Sequence, residues 1–254
     1  MKEQKTAIIL AAGRGSRLKE LSLENPKPMT VVSDATIIEN LIRSLIASNI
    51  QKIVVVIGYM AHKLQDHIEQ KFKSEADFIF VKNEIFDRTN NIYSLWLARE
   101  YMRLGFYLFE ADVYCDTSIV QQLVDCDHQD IMLIDKYLNK MDGTVVTLDS
   151  DGTITNMILK KDQKNQFDYN DKYKTINFYR ISAKFVSDYF LSKLNEHIQG
   201  KDVGSYYEQI IKEAVDEGYK FKGLVPSDGK WWEIDTQQDL AHTRRIFYDN
   251  LSNN

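Results

Sequence analysis

The sequence predicts an α/β fold in which a mixed, mostly parallel central sheet is flanked by helices and accompanied by a smaller antiparallel region. Three observations support this prediction. In the first half, short continuous apolar runs alternate with segments whose apolar residues recur at helical spacing. In the second half, an Asp-Gly step separates two β-rich runs. The chain has no internal repeat and no Pro/Gly/Ser-rich linker, so these segments are expected to share one domain.

The first half begins with a predicted buried strand over 6–12, TAIILAA, which Gly13 ends. Apolar residues at helical spacing predict a helix over 37–46, and the run IVVVI predicts a strand over 53–57. The alternation continues with a helix over 63–72, a strand over 77–81, a helix over 92–102 and a strand over 106–110. Apolar strands in this order are typical of a parallel sheet covered on both faces.

After residue 130 the pattern becomes antiparallel. Strands over 143–148 and 153–159 flank the turn Asp149–Gly152, which predicts a β-hairpin. The other predicted elements are strands over 131–135, 172–181 and 220–225 and helices over 184–197, 205–217 and 237–247. We therefore expect a single domain over 1–250, with a core formed by 1–130 and 215–250 and a lid formed by 131–214.

Composition excludes several classes of protein. The chain is 44% hydrophobic and 27% charged, with a net charge of −5 and no basic stripe, which argues against binding to nucleic acid. The first apolar run is too short to cross a membrane and has no cleavage pattern of a signal peptide. Two cysteines without a metal-ligand pattern fit a reducing cytoplasm. Residues 251–254 are read as a tail or a truncated linker, which leaves fusion to a further enzyme domain and homo-oligomerisation open.

A glycine-rich loop, LAAGRGSRL over 10–18, directly follows the first predicted strand. Glycine allows backbone N–H groups to approach phosphate oxygens closely, so this loop is a candidate phosphate site. Leu18 stands where a dinucleotide fingerprint requires its third glycine, and no Gly-Lys-Ser/Thr completes a P-loop. Both of those motifs are therefore excluded.

The loop, followed by Pro26-Lys27, resembles the signature of the nucleotidyltransferases that make sugar nucleotides and CDP-alcohols, LAAG-x-G-[ST]-R and then Pro-Lys. The resemblance implies a Rossmann-like, GT-A-like nucleotidyltransferase fold. It also implies that Arg17 neutralises the leaving pyrophosphate and that Lys27 reaches the α-phosphate. The implied nucleotide-binding residues of the loop are Leu10, Ala11, Ala12, Gly13, Arg14, Gly15 and Ser16.

Two acidic residues match the metal-binding positions of the same family. Asp112 follows the predicted strand over 106–110, where open α/β sheets bind ligands. Asp235 matches the second position, although it also suits a helix cap before the predicted helix over 237–247. The resemblance implies that both carboxylates bind Mg²⁺ and so offset the charge of the substrates.

Within this family the chain looks most like short bacterial cytidylyltransferases, a group that includes the phosphocholine and 2-aminoethylphosphonate enzymes. The stretch TNNIYSL over 89–95 carries this resemblance. It implies CTP as the donor, with Asn90, Asn91 and Ser94 at the nucleotide. Helix capping explains Asn90 or Asn91 about as well as base reading does.

The acceptor is chosen by the chemistry of its amine. A primary ammonium needs carboxylates and carbonyls, whereas a trimethylammonium is held by aromatic faces. Where the phosphocholine enzymes have an aromatic residue, this chain has Asp142-Gly143, a carboxylate and space, which favours 2-aminoethylphosphonate. The predicted acceptor-binding residues are Asp142, Lys160, Asn177, Tyr179 and Glu233. Against this choice, an aromatic cage for phosphocholine is possible from Tyr179, Tyr206, Tyr207, Trp231 and Trp232.

We therefore expect an enzyme that transfers CMP from CTP to 2-aminoethylphosphonate, with CTP:phosphocholine cytidylyltransferase as the alternative. Two other classes stay open as rivals. One is a non-catalytic nucleotide-binding regulatory domain, which the joint presence of Lys27, Asp112 and Asp235 disfavours. The other is an NAD-dependent oxidoreductase, which the missing third glycine disfavours.

Overall fold

A computed structural model describes residues 5–248 of the chain. The predicted tail over 251–254 and both ends of the predicted domain over 1–250 lie outside the described residues. The central sheet has nine strands: β1 (Thr6–Ala11), β2 (Lys52–Ile57), β3 (Asp77–Lys82), β4 (Phe106–Glu110), β6 (Ile131–Lys136), β7 (Val145–Leu148), β8 (Ile154–Ile158), β9 (Tyr173–Ile181) and β10 (Lys222–Leu224). Two further strands, β5 (Val113–Cys115) and β11 (Trp231–Glu233), form a separate antiparallel pair.

The order of the main path of the sheet is β10-β6-β9-β4-β1-β2-β3. Strands β4, β1, β2 and β3 are parallel, as the alternating pattern predicted. Strand β9 is antiparallel to both β4 and β6, and it also pairs with β7. The predicted fold class, a mixed α/β sheet with a small antiparallel sheet beside it, is confirmed.

Helices cover both faces of this sheet. They are α1 (Leu21–Glu24), α2 (Ile37–Ala47), α3 (Ala61–Phe72), α4 (Asn91–Leu97), α5 (Thr117–Asp125), α6 (Ala183–Phe185), α7 (Leu191–Gln199), α8 (Glu208–Asp216) and α9 (Gln237–Tyr248). A π-helical turn over Val186–Phe190 joins α6 to α7. None of the helices between residues 5 and 248 has the length and apolar character to cross a bilayer.

The alternation of side chains along β1 divides the core into two layers. Ile8 and Leu10 pack on one face, with apolar residues of α4, α7 and α8. Ala7, Ile9 and Ala11 pack on the other face, with apolar residues of α2, α3 and α5. Because successive strand residues point to opposite faces, a strand buried on both sides must be apolar throughout, as TAIILA is.

The predicted hairpin is confirmed by the antiparallel pairing of β7 and β8. Its turn is stabilised by Asp149, whose Oδ1 accepts hydrogen bonds from the backbone N–H of Asp151 at 2.9 Å and of Thr153 at 2.8 Å. Gly152 supplies the positive φ of 73° that the turn requires. The hairpin extends from the central sheet through β9, and β6 and β9 are themselves strands of that sheet. The division into a core and an acceptor lid over 131–214 stays a prediction.

Some elements differ from the sequence-based expectation. Helix α4 ends at Leu97 instead of 102, where a tighter 3-10 turn over Arg99–Tyr101 replaces it. The sequence analysis assigned no structure to β5, α5 or β11. Strands of three residues are too short for a periodic pattern to be visible, so β5 and β11 are recognisable only from their pairing.

Candidate active site

A cleft of about 850 Å³ opens at the carboxyl ends of β1 and β4. The loop after β1 and the segment after β4 form one end of it, and residues of α4, α8 and β9 form the other. Its position agrees with the general rule that open α/β sheets bind ligands beyond the carboxyl ends of their strands. All predicted site residues except Tyr179 line this cleft.

The glycine-rich loop is held from below by Lys27. Gly15 has a φ of 66°, and a Cβ added to it would lie 2.6 Å from the Cβ of Lys27. Only glycine therefore allows the loop to lie on this lysine. Leu18, the residue that breaks the dinucleotide fingerprint, is fully buried among Val32, Ile234 and other apolar residues and anchors the end of the loop.

Lys27 lies at the centre of a network of ionic contacts. Its Nζ donates hydrogen bonds to Asp112 Oδ2 at 3.0 Å and to Asp235 Oδ1 at 2.7 Å. The other oxygen of Asp235 pairs with Arg17 Nη2 at 3.0 Å. Burial would lower the pKa of Lys27, but the two carboxylates outweigh it and raise the pKa, so the ammonium stays charged. The two basic and two acidic residues singled out from the sequence thus lie together.

The pairing of β5 with β11 explains why the two aspartates meet. Asp112 precedes β5, Asp235 follows β11, and the antiparallel register places Val113 opposite Glu233. The backbone N–H of Ile234 donates to the carbonyl oxygen of Asp112 at 2.8 Å. Two short strands of opposite direction therefore carry both carboxylates to the same place in the cleft.

A third carboxylate, that of Glu233, joins the two aspartates. One ligand oxygen from each of Asp112, Glu233 and Asp235 lies within 4.8 Å of the others. Oδ1 of Asp112 is buried and accepts no hydrogen bond from the described residues. Carboxylate oxygens are the ligands that Mg²⁺ prefers, so this group of residues fits the metal that the sequence implies.

Charges determine the protonation of these acids. Burial would raise the pKa of Asp235, but Lys27 and Arg17 outweigh it and lower the pKa. For Glu233, burial together with Asp112 and Asp235 raises the pKa to about 7, against the opposing effect of Lys174. The sequence analysis assigned Glu233 to the acceptor, and the structure gives it a position beside the aspartates; its role stays a prediction.

The residues predicted to bind the nucleotide base are largely engaged with the protein itself. Asn91 donates from Nδ2 to Glu110 Oε1 at 3.2 Å and accepts the backbone N–H of Tyr207 at 2.9 Å. Ser94 Oγ accepts a hydrogen bond from Asn83 Nδ2 at 3.0 Å. Asn90 caps α4 by accepting the N–H of Asn91 at 2.8 Å. The capping interpretation of Asn90 is confirmed, and base reading by any of the three stays a prediction.

The predicted acceptor residues Asp142 and Lys160 form an ion pair with each other, and both side chains are more than half exposed. The space expected beside Asp142 is not empty, because a Cβ on Gly143 would lie 2.9 Å from Cε of Lys174. That lysine is almost completely buried. The expected combination of a free carboxylate and open space at this position was therefore wrong.

Asn177 and Tyr179 lie close together on β9 but in different environments. Asn177 lines the cleft with an unusual backbone φ of 63°, and its Oδ1 accepts a hydrogen bond from Thr175 Oγ1 at 3.0 Å. Tyr179 is fully buried and packs edge-on against Tyr207, so the prediction that it binds the acceptor is corrected. Side chains alternate along a strand, and this alternation turns Tyr179 into the core.

The aromatic cage that would hold a trimethylammonium is not present among the described residues. Phe86 and Tyr206 are the aromatic residues that line the cleft between residues 5 and 248. Tyr207, Trp231 and Trp232 are buried elsewhere. Of the five aromatic residues considered for a cage, Tyr206 alone therefore faces the cleft.

Three charged residues of the cleft were not singled out from the sequence: Glu110, Lys174 and Glu208. Lys174 is a signal that could have been found, because a lysine within the otherwise apolar run of β9 is unusual for a strand of the core. Glu110 likewise ends the apolar run of β4. Glu208 lies in the first turn of α8, where a carboxylate is ordinary, so its position in the cleft is visible only in the structure.

Comparisons with known proteins agree with this architecture. A family model described as nucleotidyl transferase matches residues 6–244. CMP-5'-(3-aminopropyl)phosphonate synthase of Streptomyces rubellomurinus is 29% identical over 234 residues, which are 92% of this chain and 37% of that protein. CTP:phosphoglutamine cytidylyltransferase of Campylobacter jejuni is 27% identical over 253 residues, which are 92% of this chain and 97% of that protein.

A solved structure, that of CTP:phosphocholine cytidylyltransferase from Streptococcus pneumoniae, superimposes with a TM-score of 0.77 at 22% identity. The match covers 96% of this chain and all of that one. At this level of identity the likeness is one of fold. The present chain spans little more than a third of the first curated relative and nearly all of the second.

Proposed function

The chain belongs to the nucleotidyl transferase family, and we propose that it transfers CMP from CTP to 2-aminoethylphosphonate with release of pyrophosphate. The observation that carries this proposal is the meeting of Lys27, Asp112 and Asp235 beside the glycine-rich loop in one cleft. Transfer of a nucleotidyl group needs chiefly positioning and neutralisation of charge, and this arrangement suits both needs.

In the proposed reaction, an oxygen of the phosphonate attacks the α-phosphorus of CTP in line. The new P–O bond forms as the bond from the α-phosphorus to the bridging oxygen of pyrophosphate breaks, and pyrophosphate leaves with the electron pair. A phosphonate oxygen is already anionic, so neither a general base nor a covalent enzyme intermediate is required. The chain has to hold three anionic groups close together.

Its own basic residues do much of this work. The backbone N–H groups around Gly13 and Gly15 and the Arg17 guanidinium bind the leaving phosphates. Lys27 reaches the α-phosphate when the substrate displaces it from one of its two carboxylates. Mg²⁺ on Asp112 and Asp235, when bound, supplies further positive charge at the phosphates. Part of the network in the free protein is thus a contact that the substrate replaces.

The choice of acceptor has two kinds of support. Carboxylates line the inner part of the cleft, and two aromatic side chains among the described residues reach it, which suits a primary ammonium better than a quaternary one. A relative at 29% identity carries the name of an aminoalkylphosphonate enzyme. Phosphocholine remains the second candidate because Tyr206, 54% exposed at the cleft, offers one aromatic face.

Pyrophosphate release tests the proposal. CTP, UTP, ATP and dTTP are each combined with 2-aminoethylphosphonate, phosphocholine, phosphoethanolamine and sugar 1-phosphates. We expect release with CTP and 2-aminoethylphosphonate. Turnover with phosphocholine alone would favour the second candidate, turnover with a sugar phosphate alone would refute the acceptor, and binding of CTP without release in any combination would favour a regulatory domain.

A further inference from the structure

The inner wall of the cleft carries two carboxylates that the proposed mechanism does not use, those of Glu110 and Glu208. Glu110 ends β4, two residues before Asp112, and Glu208 begins α8. Both line the cleft, and Glu208 is only 9% exposed. Carboxylates removed from water are costly unless a partner compensates their charge, so the charges around them need to be followed.

Lys174 is the nearby buried cation, but it is already engaged. It donates to the carbonyl oxygen of Thr175 at 2.6 Å and pairs with Glu233 Oε2 at 3.0 Å. No basic side chain between residues 5 and 248 forms an ion pair with Glu110 or Glu208. Three carboxylates therefore share the influence of one ammonium, and this part of the cleft carries an excess of negative charge.

A second, independent observation concerns two tyrosines behind these carboxylates. Tyr179 and Tyr207 are fully buried, and neither hydroxyl has a hydrogen-bond partner of good geometry among the described residues. Burial raises the pKa of Tyr207, and the neighbouring Glu110 carboxylate raises it further. Buried polar groups are normally satisfied, so two unpartnered hydroxyls beside two uncompensated carboxylates indicate a polar site that lacks its ligand.

We propose that Glu110 and Glu208 form the subsite for the ammonium group of the acceptor, so that the cleft selects a phosphonate or phosphate ester with a primary amine. This inference rests on the proposed function. A primary ammonium has three N–H donors and would compensate both carboxylates. Asp112 lies two residues after Glu110, so a short alkyl chain suffices to join the ammonium to a phosphonate beside Asp112.

The subsite differs from the one expected from the sequence. Asp142 is exposed and already paired with Lys160, so an ammonium gains little there, because exposed pairs are screened by water. Glu110 and Glu208 lie deeper and have no such partner. Electrostatic attraction is stronger where water is excluded, and the inner site is therefore the one that discriminates between acceptors.

The test compares two acceptors that differ in charge, 2-aminoethylphosphonate and 2-hydroxyethylphosphonate, in pyrophosphate release from CTP. Glu208→Gln keeps the size of the side chain and removes its charge. We expect this variant to lower kcat/KM at least tenfold for the amine and less than twofold for the alcohol. Asp216→Asn, at the exposed end of the same helix, is the matched control and should change neither value.

An equal loss for both acceptors, or no loss for either, would overturn the subsite. If Glu208→Gln folds poorly, as circular dichroism would reveal, the wild-type protein decides alone through inhibition by ethylphosphonate, which has no amine. Its inhibition constant should exceed that of 2-aminoethylphosphonate at least tenfold, and equal constants would overturn the inference.

Failure of the proposed function is recognised separately. If the wild-type protein releases no pyrophosphate with any acceptor, calorimetry still measures binding of 2-aminoethylphosphonate in the presence of CTP. Binding that Glu208→Gln weakens tenfold would support the subsite while refuting the reaction. Binding that is equal in wild type and variant would overturn the subsite.

Discussion

Lys27 Nζ lies 2.7 Å from the Asp235 carboxylate, although 208 residues separate the two in the sequence. The same ammonium donates to Asp112 at 3.0 Å. This lysine therefore joins three distant parts of the chain: the segment after the glycine-rich loop, the end of β4 and the end of β11. It is both a proposed catalytic group and a structural tie, and the two roles are separable by experiment.

Replacement of Lys27 tests the proposed catalytic role. We expect Lys27→Met to lower kcat for pyrophosphate release by two to three orders of magnitude, about the effect of removing one donor that stabilises transition-state charge. The variant should also melt at a lower temperature, because Asp112 and Asp235 lose their shared cation. Lys212→Ala, on the exposed surface of α8, serves as the control. Near-normal turnover by Lys27→Met would refute the assigned role.

The metal site is tested by binding as well as by activity. We expect Asp112→Asn to weaken Mn²⁺ binding at least tenfold in the presence of CTP, since one of three clustered carboxylates is neutralised. Electron paramagnetic resonance of free Mn²⁺ measures this directly. Chelation by EDTA should abolish pyrophosphate release by the wild type. Unchanged Mn²⁺ affinity in the variant would mean that the metal binds elsewhere.

The loop is expected to tolerate alanine at one glycine and not at another. Gly15→Ala introduces a Cβ 2.6 Å from Lys27 and a side chain at positive φ, so we expect a loss of about 1–2 kcal/mol in stability. A Cβ on Gly13 would meet nothing within 4 Å, so Gly13→Ala should melt like the wild type. Thermal denaturation compares the two, and equal melting temperatures would contradict the packing of the loop on Lys27.

Asn177 allows backbone strain to be separated from side-chain chemistry. Its φ of 63° is adopted easily by glycine and with difficulty by alanine. Both Asn177→Gly and Asn177→Ala lose the hydrogen bond from Thr175, so their difference in stability reports the strain. We expect the glycine variant to be the more stable by about 1 kcal/mol in urea denaturation. A more stable alanine variant would contradict the left-handed backbone.

Glu39 gives a prediction of pH dependence far from the cleft. Its carboxylate accepts the backbone N–H of Thr36 at the start of α2 and pairs with Lys71 Nζ at 2.9 Å. Burial would raise the pKa of Glu39, but the hydrogen bonds from Lys71 and Thr36 outweigh it and lower the pKa below the ordinary 4.5. A lowered pKa in the folded state means that ionised Glu39 stabilises the protein above pH 4.5 and loses this effect as the pH falls below that value.

We therefore expect Glu39→Gln, which keeps the capping hydrogen bond, to be less stable than the wild type by about 1 kcal/mol at pH 7. The difference should disappear as the pH falls below 4.5 towards the lowered pKa. Urea denaturation at pH 7, 5 and 3.5 measures it, with exposed Glu75→Gln as the control. A difference that grows at low pH would contradict the assigned pKa shift.

Local patterns in the sequence were sufficient for the framework. The apolar run of β1 and the parallel strands that follow could be predicted because a strand buried on both faces excludes polar side chains. The loop over 10–18 could be recognised because its glycines serve a backbone conformation that each residue carries itself. The β7–β8 hairpin followed for the same reason from the turn residues Asp149 and Gly152.

The acceptor end of the cleft could not be predicted in this way, because the state of a side chain there depends on partners distant in sequence. Asp142 is paired with Lys160, and Asn91 is engaged by Glu110 and Tyr207. No local pattern contains those contacts.

The sequence by itself thus determined that the chain has an α/β sheet with a phosphate-binding loop and which basic and acidic residues accompany it. Only the tertiary structure decided how these residues meet, through the antiparallel register of β5 and β11, and which carboxylates stay without a cation. The physical reason is that backbone preference and burial are encoded locally, whereas the compensation of charge is a property of pairs. Glu208 illustrates this, since it is an ordinary residue of a first helical turn until the fold places it in the wall of the cleft.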